Sequence, residues 1–126
     1  MPAIPWEQLE IEEVVPGVRR SVFATEHLTA VYWMMSAGVT LPDHRHEQDQ
    51  LDLCVRGEVH YRCGDETGVL REGSWLLNPA GVLHGGTFPV DAVLLSIYSP
   101  ARQDIAQGTD QPARAATYVP TGVADR

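Results

Sequence analysis

The stretch LPDHRHEQDQLDL, Leu41 to Leu53, sets His44, His46 and Gln50 within seven residues. A His-x-His pair on an extended segment points both imidazoles to one side, because side chains alternate with period two, and two neutral rings so placed can share one ion. Gln50, an even number of residues further on, can add an amide oxygen. A fourth donor must come from elsewhere. His84 stands in a Gly-rich run, GSWLLNPAGVLHGG, whose Pro79 and Gly81 favour a tight turn able to present a side chain to a cavity. One His-x-His pair is weak evidence for a metal, but two runs with complementary donors are much stronger.

The donor set constrains the chemistry. Three imidazoles and an amide are all neutral, so a bound dication would keep its full charge, where Glu in place of Gln50 would halve it. The expectation is one divalent transition ion (Zn, Fe, Mn, Ni or Co) that favours an anionic ligand such as a carboxylate or enolate. Continuing the alternation from Gln50 turns Asp52 and Cys54 to the same side and leaves Leu51, Leu53 and Val55 on the other. Asp52 then lies one inward step from the ion, as an acid/base or as a group orienting a ligand. His27 and His60 are read as outward and non-ligating.

These side chains need a rigid β framework. Short apolar runs, Leu28 to Met35, Leu51 to Val55, Val59 to Cys63, Trp75 to Leu77 and Ala92 to Tyr98, are separated by Gly, Pro and Asp. That spacing favours a sandwich or barrel. Only Pro5 to Val14 and Pro100 to Gln107 leave room for a helical turn. If Arg56 and Gly57 form a two-residue hairpin loop, Val59, Tyr61 and Cys63 face inward opposite Cys54, Asp52 and Gln50, while His60 faces out. Cys54 and Cys63 are then roughly 13 Å apart at the usual rise per residue, too far for a disulfide, and both are expected to be thiols.

Composition removes other functions. The 126 residues suffice for one core, with residues 1–108 as a single barrel and 109–126 as a small, polar, Pro-containing tail. All 9 basic residues are Arg, against 17 acidic ones, so the net charge is −8 and no basic stripe offers itself to nucleic acid. No apolar run approaches the roughly 20 residues that cross a bilayer, and MPAIPWEQLE lacks the features of a signal peptide. No membrane partner and a cytoplasmic location are expected. The outward Leu51, Leu53 and Val55 argue for a sheet-packed homodimer.

The spacing Gly38-x5-His44-x-His46-x3-Gln50-x6-Gly57 resembles the first motif of the cupin superfamily, and Gly73-x5-Pro79-x-Gly81-x2-His84 resembles the second. Gln50 stands where most metal-binding cupins have Glu, and Phe88 where the second motif ends in Asn. From Trp6 to about Ile105 the chain is similar to the small cupins of pectin degradation, which linearise unsaturated uronates. The resemblance implies an all-β cupin jelly-roll barrel, metal ligands at His44, His46, Gln50 and His84, and a substrate-contacting Arg102. Tyr98 replaces a Phe of that group, and its catalytic Asp corresponds to Ser96. If the proton-transfer role is kept, it has moved, with Asp52 and Tyr98 as the catalytic candidates beside Arg102.

The leading expectation is a metal-dependent isomerase, lyase or ring-opening enzyme acting by proton transfer on a small, oxygen-rich acid or enolisable carbonyl compound. A polyketide or other small-molecule cyclase is the nearest rival. A non-catalytic ligand- or metal-sensing domain and an iron dioxygenase are the remaining alternatives.

Overall fold

The computed structural model describes residues 3–110, so the tail expected over 109–126 lies, beyond Asp110, outside the described residues. After a 3-10 turn at Trp6–Gln8 the chain runs through β1 (Glu12–Val15), β2 (Val18–Ala24), β3 (Thr29–Met35), β4 (Thr40–His44) and β5 (Asp49–Arg56). It continues through β6 (Glu58–Cys63), β7 (Glu66–Arg71), β8 (Trp75–Asn78), β9 (His84–Thr87) and β10 (Ala92–Ser99), and closes on a helical turn, α1 (Gln103–Ala106). The strands form two antiparallel sheets, ordered β1-β2-β3-β10-β5-β8 and β4-β9-β6-β7. Their inner faces share one core, a jelly-roll barrel. Among the described residues no helix is long and apolar enough to cross a membrane.

Alternation explains the core. Along β3, Val31, Trp33 and Met35 point inward, and along β10 Ala92, Leu94 and Tyr98 do; Val59 and Leu70 meet them from the smaller sheet. Strand β5 alternates as expected, but with polar residues inside: Gln50, Asp52 and Cys54 are buried, while Leu51 and Val55 are exposed and Leu53 is partly so.

The hairpin expected across Arg56 and Gly57 does not form. Strand β5 pairs with β10 and β8, and β6 pairs with β7 and β9. Gly57, at φ +81°, is the corner at which the chain leaves the larger sheet for the smaller, and a Cβ there would strike the Asp91 carbonyl. A left-handed glycine serves a hairpin and a corner equally well, so the local signal is the same. Tyr61 and Val59 still face inward and His60 outward. Cys63 does not face Gln50; it pairs with His84, its Sγ 3.9 Å from the Leu77 carbonyl. Both cysteines are free.

Candidate metal centre

His44 closes β4 and pairs in register with His84, the first residue of β9. This brings two imidazoles side by side on the smaller sheet. Strand β9 reaches its place between β4 and β6 because Gly85 and Gly86 follow His84: a Cβ on Gly85 would press the Leu41 carbonyl, and one on Gly86 the His60 carbonyl. His46 lies in the loop between β4 and β5 and reaches the same point, while Gln50 comes from β5 on the opposite sheet. The ligating nitrogens of His44, His46 and His84 all lie within 4.8 Å of one another.

Three backbone carbonyls decide the tautomers. Nδ1 of His44 is 3.0 Å from the Pro42 oxygen, Nδ1 of His46 is 3.1 Å from the Gln48 oxygen, and Nδ1 of His84 is 3.0 Å from the Val82 oxygen. A carbonyl only accepts, so each Nδ1 carries the proton and each Nε2 presents a lone pair. Burial, reinforced at His46 by the Arg102 charge, holds all three imidazoles below their ordinary pKa and therefore neutral. Gln50 Oε1 nevertheless lies 3.0 Å from His46 Nε2 and 3.2 Å from His84 Nε2. Electron-rich atoms thus converge with no hydrogen between them, an arrangement that a cation resolves. The donor set fits a divalent transition ion.

Asp52 sits behind Gln50. Its carboxylate accepts from Gln50 Nε2 at 2.9 and 3.2 Å, from Asn78 Nδ2 at 3.0 Å and from Ser96 Oγ at 2.6 Å. Burial pushes its pKa up, and the hydrogen bonds from Ser96, Gln50 and Asn78 pull the other way. Ser96 and Asp52 face each other across β10 and β5, so a carboxylate still lies at this place although it hangs from the neighbouring strand.

Tyr98 pairs with Gln50 on β10, and its ring lies 5.6 Å from that of His46. Burial, with the Asp52 charge, pushes its phenol up to about 12. Arg102 stands at the mouth rather than among the ligands. Its guanidinium covers the Tyr98 ring at 5.3 Å and makes a two-pronged ion pair with Asp104, Nε to Oδ1 at 2.9 Å and Nη2 to Oδ2 at 2.8 Å. That contact holds the Asp104 carboxyl below the usual range.

Two spaces meet at the histidines. Inward lies a cavity of about 50 Å³ with Trp33, Met35, Leu70 and Phe88 in its walls; outward, an open cleft of about 560 Å³ runs between His46, Gln48, Arg102 and Asp104. Asn78 and Asp104 escaped the sequence reading. Asn78 is found only once the β5–β8 register sets it opposite Gln50, whereas Asp104 had a faint signal in its i, i+2 spacing from Arg102.

Residues 2–101 match the family described as the ChrR cupin-like domain. The chain belongs to this cupin family. An RmlC-like cupin from Shewanella frigidimarina is similar, at 31% identity and TM-score 0.76 over 81% of this chain and 93% of that one. KdgF from Halomonas sp. matches at 27% identity and TM-score 0.76, over 80% of this chain and 96% of its own. A 5-aminosalicylate 1,2-dioxygenase of Comamonas sp. is 33% identical over 82 residues, 62% of this chain, which spans only 22% of that longer protein.

Proposed function

We propose that this cupin is a metal-dependent enzyme that moves a proton on a small, oxygen-rich acid or enolisable carbonyl compound, in an isomerase, lyase or ring-opening reaction of the uronate type. His44, His46, Gln50 and His84 hold the ion. The convergence of three lone-pair nitrogens and an amide oxygen carries this reading. A bound divalent cation supplies a Lewis acid for a carbonyl or enolate oxygen.

The remaining roles belong to the chain. The small inner cavity confines the substrate's bulk to the outer cleft, where Arg102 takes its anionic group by exchanging Asp104 for it. Tyr98, protonated at neutral pH, sets its ring beside that of His46 while its phenol group meets Trp33 and Ser96, and it is the acid that can donate a proton in the inner cavity. Asp52, with both oxygens occupied, is supported more strongly as a group that orients Gln50 than as a free base. The resemblance of residues 6–105 to the small cupins of pectin degradation favours an unsaturated uronate as substrate. Metal-loaded protein incubated with a 4,5-unsaturated galacturonate should bleach the ultraviolet absorbance of the conjugated alkene; unchanged absorbance with metal content confirmed rejects this substrate class.

The aminosalicylate dioxygenase similarity favours one second reading, ring cleavage by an iron form of the same site. Consumption of oxygen by the Fe(II)-loaded protein with 5-aminosalicylate would replace the first reading. We further propose that two copies pair through the outer face of the larger sheet, where Leu51, Val55, Trp75 and Leu77 are exposed on adjoining β5 and β8.

A further inference from the structure

Resting on the metal reading above, we propose that Gln50 and Asp52 act as a divided carboxylate. Gln50 contributes the oxygen donor; Asp52, one hydrogen bond behind it, contributes the negative charge and fixes which end of the amide faces the imidazoles. A glutamine amide has nearly the same shape either way round, and a flipped amide would aim its NH2 at the cation site. Asp52 forbids the flip. An ionised carboxylate accepts only, and with Gln50 Nε2 at 2.9 and 3.2 Å from its two oxygens, reversal would set oxygen against oxygen.

Asp52 is itself held in place. Ser96 lies opposite it on β10 and Asn78 lies opposite Gln50 on β8, so the ladder β10-β5-β8 supplies donors from both sides at 2.6 and 3.0 Å. Three partners able to donate, around a carboxylate only 5% exposed, are what an ionised group requires. Its charge draws the amide proton and shifts electron density to Oε1, so the neutral donor gains carboxylate character. The ion is then not left uncompensated, as the four ligands alone imply: one negative charge lies a single hydrogen bond away.

The same geometry accounts for an amide at position 50. Glu there would set a second carboxyl about 3 Å from the first, oxygen against oxygen, with no amide hydrogen to join them. Asp52 is therefore a positioning residue, and Gln50 and Asp52 should be interchangeable only as a pair.

Co2+ titration of the intact chain in competition with a chelator, read together with the visible spectrum of the Co2+ form, tests this. Asp52→Asn should weaken Co2+ binding roughly 10- to 100-fold and move the visible bands. Gln50→Glu alone should weaken it also, while Gln50→Glu with Asp52→Asn, which exchanges the charge and the amide, should bind roughly tenfold or more tightly than Asp52→Asn. If Gln50→Glu fails to fold, Asp52→Asn against the double variant still decides. Wild-type affinity and spectrum in Asp52→Asn, or a double variant no tighter than Asp52→Asn, would overturn the pairing. Wild-type protein that takes up no Co2+ would instead overturn the metal reading beneath it.

Discussion

Strands β5 and β6 lie on either side of the Gly57 corner and are built in opposite senses. On β5 the inward row is Gln50, Asp52 and Cys54, and the outward row is Leu51, Leu53 and Val55. On β6 the inward row begins with Val59 and Tyr61, and the outward row is Glu58, His60 and Arg62. The second is the ordinary arrangement for a sheet with one face in water. The first works only if two conditions hold: every inward polar group must have a partner, and something must cover the outward apolar row. The described residues meet the first condition at Gln50 and Asp52; a second copy of the chain would meet the other.

The strongest way to break the comparison is to remove what the polar inner row serves. Protein prepared without chelators should carry about one transition ion per chain, and His44→Ala with His46→Ala should lose it entirely, with a marked fall in melting temperature. Elemental analysis decides this directly. The outer row is tested next: Trp75→Asp with Leu77→Asp should turn a dimer into a soluble monomer in sedimentation. A wild-type chain that already sediments as a monomer would leave the apolar row of β5 without a purpose.

Much of β5 was legible in the sequence, because a period of two needs no knowledge of neighbours. Parity put Gln50 and Asp52 on one side of β5, whereas His46 reaches the same point from the loop between β4 and β5, where alternation does not run. Pairing was not legible: Gly57 looks like a hairpin turn wherever the strands go, and only the corner against Asp91 distinguishes them. Strand β9, His84–Thr87, has two glycines at its centre and so a weak local strand signal; pairing with β4 and β6 makes it a strand, and their close approach admits no side chain at Gly85 or Gly86. Arg20 was equally hidden. It is fully buried on β2, bound by Glu12 and by both oxygens of Asp110 and lying over Trp33, so its inward place depends on a residue ninety positions away.

Alkaline pH probes the inner wall shared by β5 and β10. Tyr98 titrates at about 12 in the fold against about 10 unfolded, so the unfolded chain loses this proton first. Stability from keeping the phenol neutral is complete below pH 10 and is lost as the pH climbs from 10 towards 12, to an extent of roughly 3 kcal/mol. Tyr98→Phe should flatten that part of the stability curve measured by denaturant unfolding. An equally steep fall in the variant would assign the alkaline loss to other groups. On β6, Val59→Ala removes two buried methyl groups and should cost about 2 kcal/mol.

The smallest effect belongs to the outer row of β6. His60 Nε2 lies 2.9 Å from Glu58 Oε2, two residues away on the same face, and the side chains are 50% and 36% exposed. Water competes for both partners, salt screens them, and ordering two side chains offsets much of the attraction, so such pairs contribute little. His60→Ala should change unfolding free energy by less than about 0.5 kcal/mol and leave metal content untouched. This near-silence sharpens the contrast: the outer face of β6 carries charged and polar side chains, whereas that of β5 exposes Leu51 and Val55, the row that the proposed second copy would cover. A loss comparable to that at Val59 would mean that the outer face of the smaller sheet is also covered, and the difference between the two strands would then be one of partner rather than of exposure.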